Sequence, residues 1–197
     1  MSSTPSLETS RVHIYGHVSA QPKALAEIFS AEHLTQASPE SDLAIFAINP
    51  AAGIDQSTID LWNELSEYQL PRLVVVNELE GSDSDFDDAV LLANRVFDQL
   101  VTPYLVLHSD AGEPTALIDL ATLEIIDYST DPISKRDSDP EHKELVAEFR
   151  EEYLETVEDA GDAAFEAGLL FPAIPVVISR GIGVDIVKSF IKRTALN

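Results

Sequence analysis

ESDLAIFAINPAAGIDQSTIDLWNELSEYQLPRLVVVNELE, residues 40–80, decides how the rest of the chain is read. Its run LAIFAI, 43–48, is apolar without alternation, the pattern of a strand covered on both faces. Turn formers follow at Asn49, Pro50 and Gly53, and then a helix whose Leu61, Trp62, Leu65 and Tyr68 share one stripe. The segment closes on PRLVVVNELE, 71–80, a second buried-type strand with Pro71 just before it. Two continuous apolar strands joined by a helix make a parallel pair with a crossover, the repeating unit of an α/β sheet.

The same rhythm extends in both directions. Upstream, Arg11–Tyr15 reads as a short strand, Gly16 opens a loop, and Pro22–Ser30 forms a helix with proline in its first turn, where a missing N–H costs nothing. Residues 31–42 read as a polar connector. Downstream, Ser82–Asp85 are good helix starters, and Phe86, Ala89, Val90, Ala93, Val96, Phe97 and Leu100 form the apolar face of the helix that follows. Pro103–His108 is a further strand. ALIDLATLEIIDY, 116–128, breaks the rhythm with two short apolar pieces that suggest a hairpin. A turn-rich loop, 129–143, leads to a long acidic helix over roughly 141–168, with Leu145, Phe149, Tyr153, Val157 and Ala160 expected to face inward. IPVVIS, 174–179, is the last strand, Gly181 and Gly183 mark a turn, and Val184–Ile191 begins the terminal helix. The pattern predicts a three-layer, doubly wound, mostly parallel α/β sheet of about five or six strands. One domain is expected over 11–197, after a disordered tail at 1–10, with a small inserted hairpin and helix at roughly 109–168.

Composition narrows the functional classes. The 35 acidic residues outnumber 12 basic ones, giving a formal net charge of -23. Such a chain repels phosphate backbones and anionic headgroups, so direct nucleic-acid binding and membrane-surface binding are not expected. Cysteine is absent, which excludes disulfides, thiolate metal sites and cysteine nucleophiles. The five histidines show no metal-ligand spacing, and no metal site is expected. The first ten residues lack the basic start and apolar core of a secretory leader, so a cytoplasmic setting is the expectation.

Taken in order, these pieces resemble the G domain of translational GTPases, nearest to elongation factor G. Residues 40–80 resemble the stretch joining that family's third and fourth guanine-nucleotide motifs, with a small-residue loop followed by Gln56, a helix carrying Trp62 and a strand ending at Asn77. FPAIPVVISRGIGVDIVKSFI, 171–191, resembles the fifth motif and its closing helix. The 109–168 region is similar to a shortened form of the insertion that elongation factor G carries. The resemblance implies a P-loop-NTPase-like, G-domain-like fold.

The resemblance also exposes departures. The family's phosphate loop runs roughly Gly-His-x-Asp-His-Gly-Lys-Thr, and Gly16, His17 and Val18 match its start. Ser19, Ala20, Gln21, Pro22 and Lys23 then stand where Asp, His, Gly, Lys and Thr are usual. A phosphate loop works by aiming successive backbone N–H groups at the anion. Pro22 has no N–H, Gln21 enters glycine's conformations only at a cost, and Ala24 offers no hydroxyl to a metal. Only 18 residues separate Lys23 from Asp42, and they contain no counterpart of the family's switch segments. In the base-recognition motif Asn77 matches, Glu78 replaces Lys, and Glu80 replaces Asp. In the fifth motif Ser179 matches and Arg180 replaces a small residue.

Phosphoryl transfer depends on positioned charge, and little of it remains here. The chain therefore reads as a degenerate GTPase-like protein, non-hydrolysing, with no assigned catalytic residue and no required cofactor. It would act through protein contacts, its acidic face at 80–88 and 141–159 suiting a partner with a basic surface, and kinship links it to translation. A weak guanine-nucleotide binder, taking GTP or GDP with magnesium, is the alternative. That reading would use Asn77, Glu80 and Ser179 for the base and Gly16, His17 and Lys23 near the phosphates. An unrelated enzyme built in the crevice at the sheet's carboxyl ends is the third reading.

Overall fold

The computed structural model describes residues 10–80 and 85–195. The tail expected at 1–10 falls, apart from Ser10, outside the described residues, as do 81–84 of the expected helix start. The chain runs β1 (Val12–Gly16), α1 (Pro22–Phe29), β2 (Glu32–His33), β3 (Leu43–Ile48), α2 (Gln56–Ser66), β4 (Arg72–Val76), α3 (Phe86–Ala93) and β5 (Leu100–Val101). It continues through β6 (Tyr104–His108), β7 (Pro114–Asp119), β8 (Glu124–Asp127), β9 (Ser134–Asp137), α4 (Pro140–Leu145), α5 (Ala147–Ala160), β10 (Phe171–Pro175) and α6 (Val184–Thr194).

Six strands form one parallel sheet in the order β2-β1-β3-β4-β10-β5. Its central strands are buried along their whole length, as unbroken apolar runs require when helices cover both faces. The expected mostly parallel α/β architecture is present. The connector at 31–42 differs from expectation: Glu32 and His33 pair with β1 as an edge strand, too short to leave a periodic signal.

Four more strands form an antiparallel sheet, β6-β7-β8-β9. Pro103–His108 thus belongs to this second sheet, and the parallel strand in that region is Leu100–Val101, which had been read as helix. The departure from the parallel sheet begins at Tyr104 and brings four strands and two helices, more than a hairpin and one helix. Residues on both faces of β7 and β8 are buried, while β9 is exposed along its length. Leu117 and Ile126 join the main core, while Ile118 and Ile125 pack with Leu105, Leu120 and Val146 beneath the α4–α5 side.

The helices also correct the reading. α2 stops at Ser66, so Tyr68 lies beyond it and is half-exposed, while Trp62 and Leu65 are buried. α3 stops at Ala93; the Asn94 side chain accepts from the Leu100 amide at 2.9 Å, and Phe97 stacks on Trp62 at 4.4 Å. The long helix is broken at Val146, whose burial anchors the join. Leu145 and Phe149, expected inside, are 69% and 47% exposed, and Ala160 is exposed as well. No residue of α5 is fully buried.

One buried charge organises the core. Arg72 opens β4 and lies between the rings of Trp62 and Phe171, 4.2 and 4.3 Å from their centroids. Its guanidinium donates to Asp98 at 3.3 Å and to the Trp62 carbonyl at 3.2 Å. Burial lowers its pKa, and the Asp98 carboxylate opposes that shift. Among the described residues, no helix is long and apolar enough to cross a membrane.

Candidate functional site

Because β1, β3, β4 and β10 are parallel, their carboxyl ends share one edge of the sheet, where ligands of open α/β folds enter. Four loops meet there: 17–21, 49–55, 77–80 and 176–183. All the sequence-nominated residues except Lys23 lie along this edge.

The first loop starts at Gly16, whose φ is +148°; a Cβ there would sit 2.4 Å from the Ala47 carbonyl oxygen. The chain then folds its donors inward. The Ser19 amide donates to His17 Nδ1 at 3.2 Å, the Ala20 amide to the His17 carbonyl at 3.0 Å, and the Gln21 amide to the Val18 carbonyl at 3.0 Å. The result is one 3-10 turn, Val18–Ala20, in which three consecutive N–H groups are already satisfied. Gln21 adopts the left-handed conformation, φ 54°, and Pro22 occupies the first position of α1 without a donor.

Two asparagines clamp this turn from outside. Asn49 donates to the Ser19 carbonyl at 2.9 Å, and Asn77, buried to 1% exposure, donates to the Ala20 carbonyl at 3.0 Å. Asn77 thus ties β4 to the loop and does not simply cap its own strand. Beyond these bonds, the space among His17, Ser19, Asn49, Gly53, Asp55 and Thr58 has no room for a water molecule.

Lys23 points elsewhere. It is exposed on α1, and its charge acts on His33 at the β2 edge; burial first, then Lys23, lowers that imidazole's pKa. His13 is buried in β1 with Nδ1 2.5 Å from the Ser41 hydroxyl oxygen, a packed position remote from the crevice.

Where the 77–80 and 176–183 loops meet, the nominated groups bond to one another. Ser179 donates to Glu80 at 2.6 Å, and Arg180 donates to the same Glu80 oxygen at 3.4 Å. Arg180 also pairs with Glu113 of the second sheet's first hairpin at 2.8 Å. The hydrogen bond to Glu113, ahead of the Glu80 contacts, raises the guanidinium's pKa. Gln21 donates to Glu78, closing a strap between the first loop and the base motif. Gly183, φ +75°, brings the last turn so close to β10 that a Cβ would lie 2.0 Å from the Pro175 carbonyl oxygen.

The sequence reading nominated Gly16, His17, Lys23, Asn77, Glu80 and Ser179 for this edge, and all of them except Lys23 lie on one rim. It missed Asn49, which an Asn-Pro pair directly after a buried strand could have flagged as a loop clamp. It also missed Glu113, whose pairing with Arg180 spans 67 residues (180 minus 113) and leaves no local signal. Among the described residues no cluster of three or more potential metal ligands occurs.

Comparison with known proteins shows what the chain is similar to. No family model matches the chain. An elongation factor G-like protein of Mycobacterium tuberculosis is 29% identical over 167 residues, covering 73% of this chain and 23% of its own. An elongation factor G-like protein of Thermotoga maritima is 21% identical over 169 residues, covering 77% and 25%. A crystal structure of a Thermus thermophilus protein superposes with a TM-score of 0.64 at 24% identity, covering 78% of this chain and 26% of that one. The chain is related to the G domain of elongation factor G-like proteins, and spans about a quarter of the length of the curated relatives it matches.

Proposed function

We propose that this chain is a GTPase-like protein that does not hydrolyse GTP efficiently and acts through protein contacts, in a setting related to translation. The observation that carries the reading is the inward turn of the Ser19, Ala20 and Gln21 amides, followed by the donorless Pro22. A triphosphate needs those amides aimed at its oxygens, and reopening them means breaking the turn and both asparagine clamps. Lys23 faces the β2 edge, and Ala24 supplies no hydroxyl for a magnesium ion, so the loop does not fit that pair.

Calorimetric titration of the chain with GTP and GDP, each with and without magnesium, tests this. No binding heat at micromolar ligand is the expected outcome. Micromolar affinity for GTP that rises with magnesium would overturn the proposal.

One observation favours weak guanine-nucleotide binding as a second reading: Glu80 and Ser179 do meet at the ends of neighbouring strands. Its signature is different, namely equal affinity for GDP and GTP with no magnesium dependence. Against it, the Glu80 carboxylate already accepts from both Ser179 and Arg180.

A further inference from the structure

Away from the crevice, the described residues form an open groove between α3 and α5. Its volume is about 340 Å³, at the low end of small binding clefts. Val90, Leu91, Leu100, Val101, Phe149 and Tyr153 supply its apolar lining. Two of these are strongly exposed for their type, Leu91 at 60% and Phe149 at 47%. Large side chains in water at the mouth of an apolar groove mark an interaction surface more often than a defect of packing.

The rim has one sign of charge. Among the described lining residues Asp87 and Glu152 are acidic and none is basic. α5 carries six carboxylates, Glu148, Glu151, Glu152, Glu155, Glu158 and Asp159, of which Glu152 lines the groove, while Glu151, Glu155 and Glu158 line a separate hollow together with Lys143 and Arg150. Arg150 is directed to the Ala121 carbonyl at 3.3 Å. Among the described residues no cation forms a salt bridge with any of these six or with Asp87. The Asp87 carboxyl is held above the usual range, first by partial burial and then by the charges of Asp85 and Asp88, with His108 a weaker opposing influence. Asp87 and Glu152, the two acids that line the groove, have no salt-bridge partner among the described residues.

We propose that the α3–α5 groove docks a basic amphipathic helix of a partner protein, with its apolar stripe against Leu91 and Phe149 and its lysines or arginines against Asp87 and Glu152. The inference deepens the reading of the chain as acting through protein contacts and rests on it. Helix-in-groove recognition needs an apolar channel for one face and complementary charge for its flanks, and both are present. A second copy of this chain would bring a formal charge of -23 of its own to the same acidic rim, which disfavours self-association there.

The test uses the full chain and a labelled synthetic helix with a leucine stripe flanked by lysines, followed by fluorescence anisotropy. A scrambled peptide of identical composition and a version with glutamate for lysine serve as controls. Binding of the striped peptide is expected, about tenfold tighter than the scrambled one, with no binding of the acidic version. Phe149→Glu and Leu91→Glu, at exposed positions, should each weaken binding about tenfold. Each adds a carboxylate that a purely electrostatic association would favour, so loss of affinity isolates the apolar contact. Circular dichroism confirms that both variants fold. Equal binding of striped and scrambled peptides, indifference to both variants, or no binding at all overturns the proposal. So does a sedimenting dimer that Phe149→Glu dissociates, since a second copy would then fill the groove. No nucleotide enters the experiment, so its failure is distinguishable from failure of the non-hydrolysing reading.

Discussion

The crevice at the carboxyl ends of the parallel strands and the groove between α3 and α5 are opposites. In the crevice the nominated groups are spent inside the protein: the loop amides on their own turn, Asn77 on the Ala20 carbonyl, and Glu80 on Ser179 and Arg180. In the groove, apolar side chains stand in water and carboxylates lack described cations. A strand-end crevice closes on itself readily, because buried backbone donors are nearly all paired with an acceptor within reach. An exposed apolar groove cannot satisfy itself in that way, and its apolar side chains stay in water.

Three substitutions probe that contrast. The largest effect belongs to Gly183→Ala, which forces a Cβ to within 2.0 Å of the Pro175 carbonyl oxygen at a positive φ. A loss of about 3 kcal/mol or more is expected in urea denaturation. A near-neutral result would show that the wall of the crevice is deformable, weakening the idea that it is sealed. Next comes Asn77→Ala, which removes a buried donor and leaves the Ala20 carbonyl without it. A loss of about 2 kcal/mol is expected by the same measurement, with no gain of nucleotide affinity in calorimetry. Gain of GTP binding in this variant would identify Asn77 as the lock on a loop that is otherwise competent.

The smallest effect, and the one of opposite sign, is Asp87→Asn on the groove side. The folded carboxyl holds its proton more tightly than an unfolded one, so ionising it at neutral pH works against the folded state. Asparagine removes that opposition, and a small rise in thermal midpoint is expected at neutral pH. As pH falls through the raised pKa, wild-type Asp87 takes up its proton and the advantage shrinks. A variant less stable than wild type at neutral pH would mean that Asp87 has a compensating partner, and that the rim is not unpaired.

Much of the parallel sheet was legible because β3 and β4 are continuous apolar runs, and only burial on both faces tolerates such runs. β2 and β5, two residues each, are too short for any period, and β5 was absorbed into the apolar face of the preceding helix. The outward exposure of Leu145 and Phe149 was invisible for a related reason. Their spacing is that of an amphipathic helix, and spacing does not say whether the apolar face meets this chain's core or something else. At the crevice the loop's departures from the phosphate-loop pattern could be assigned residue by residue, since each concerns what a single residue lacks. The bonds found there, from Gln21 to Glu78 and from Arg180 to Glu113, are long-range and depend on the finished fold.

The position of β10 has a consequence for how the molecule is made. It lies between β4 and β5, yet follows both in the chain and is separated from β5 by the whole second sheet and two helices. When residues up to β5 have been synthesised, β4 presents an open edge and β5 lacks its partner, since β10 is its only neighbour among the described residues. The parallel sheet therefore closes last and from the middle, after the antiparallel sheet can already have formed from contacts local in sequence. Until β10 arrives, that open apolar edge is the nascent chain's point of greatest exposure to mispairing.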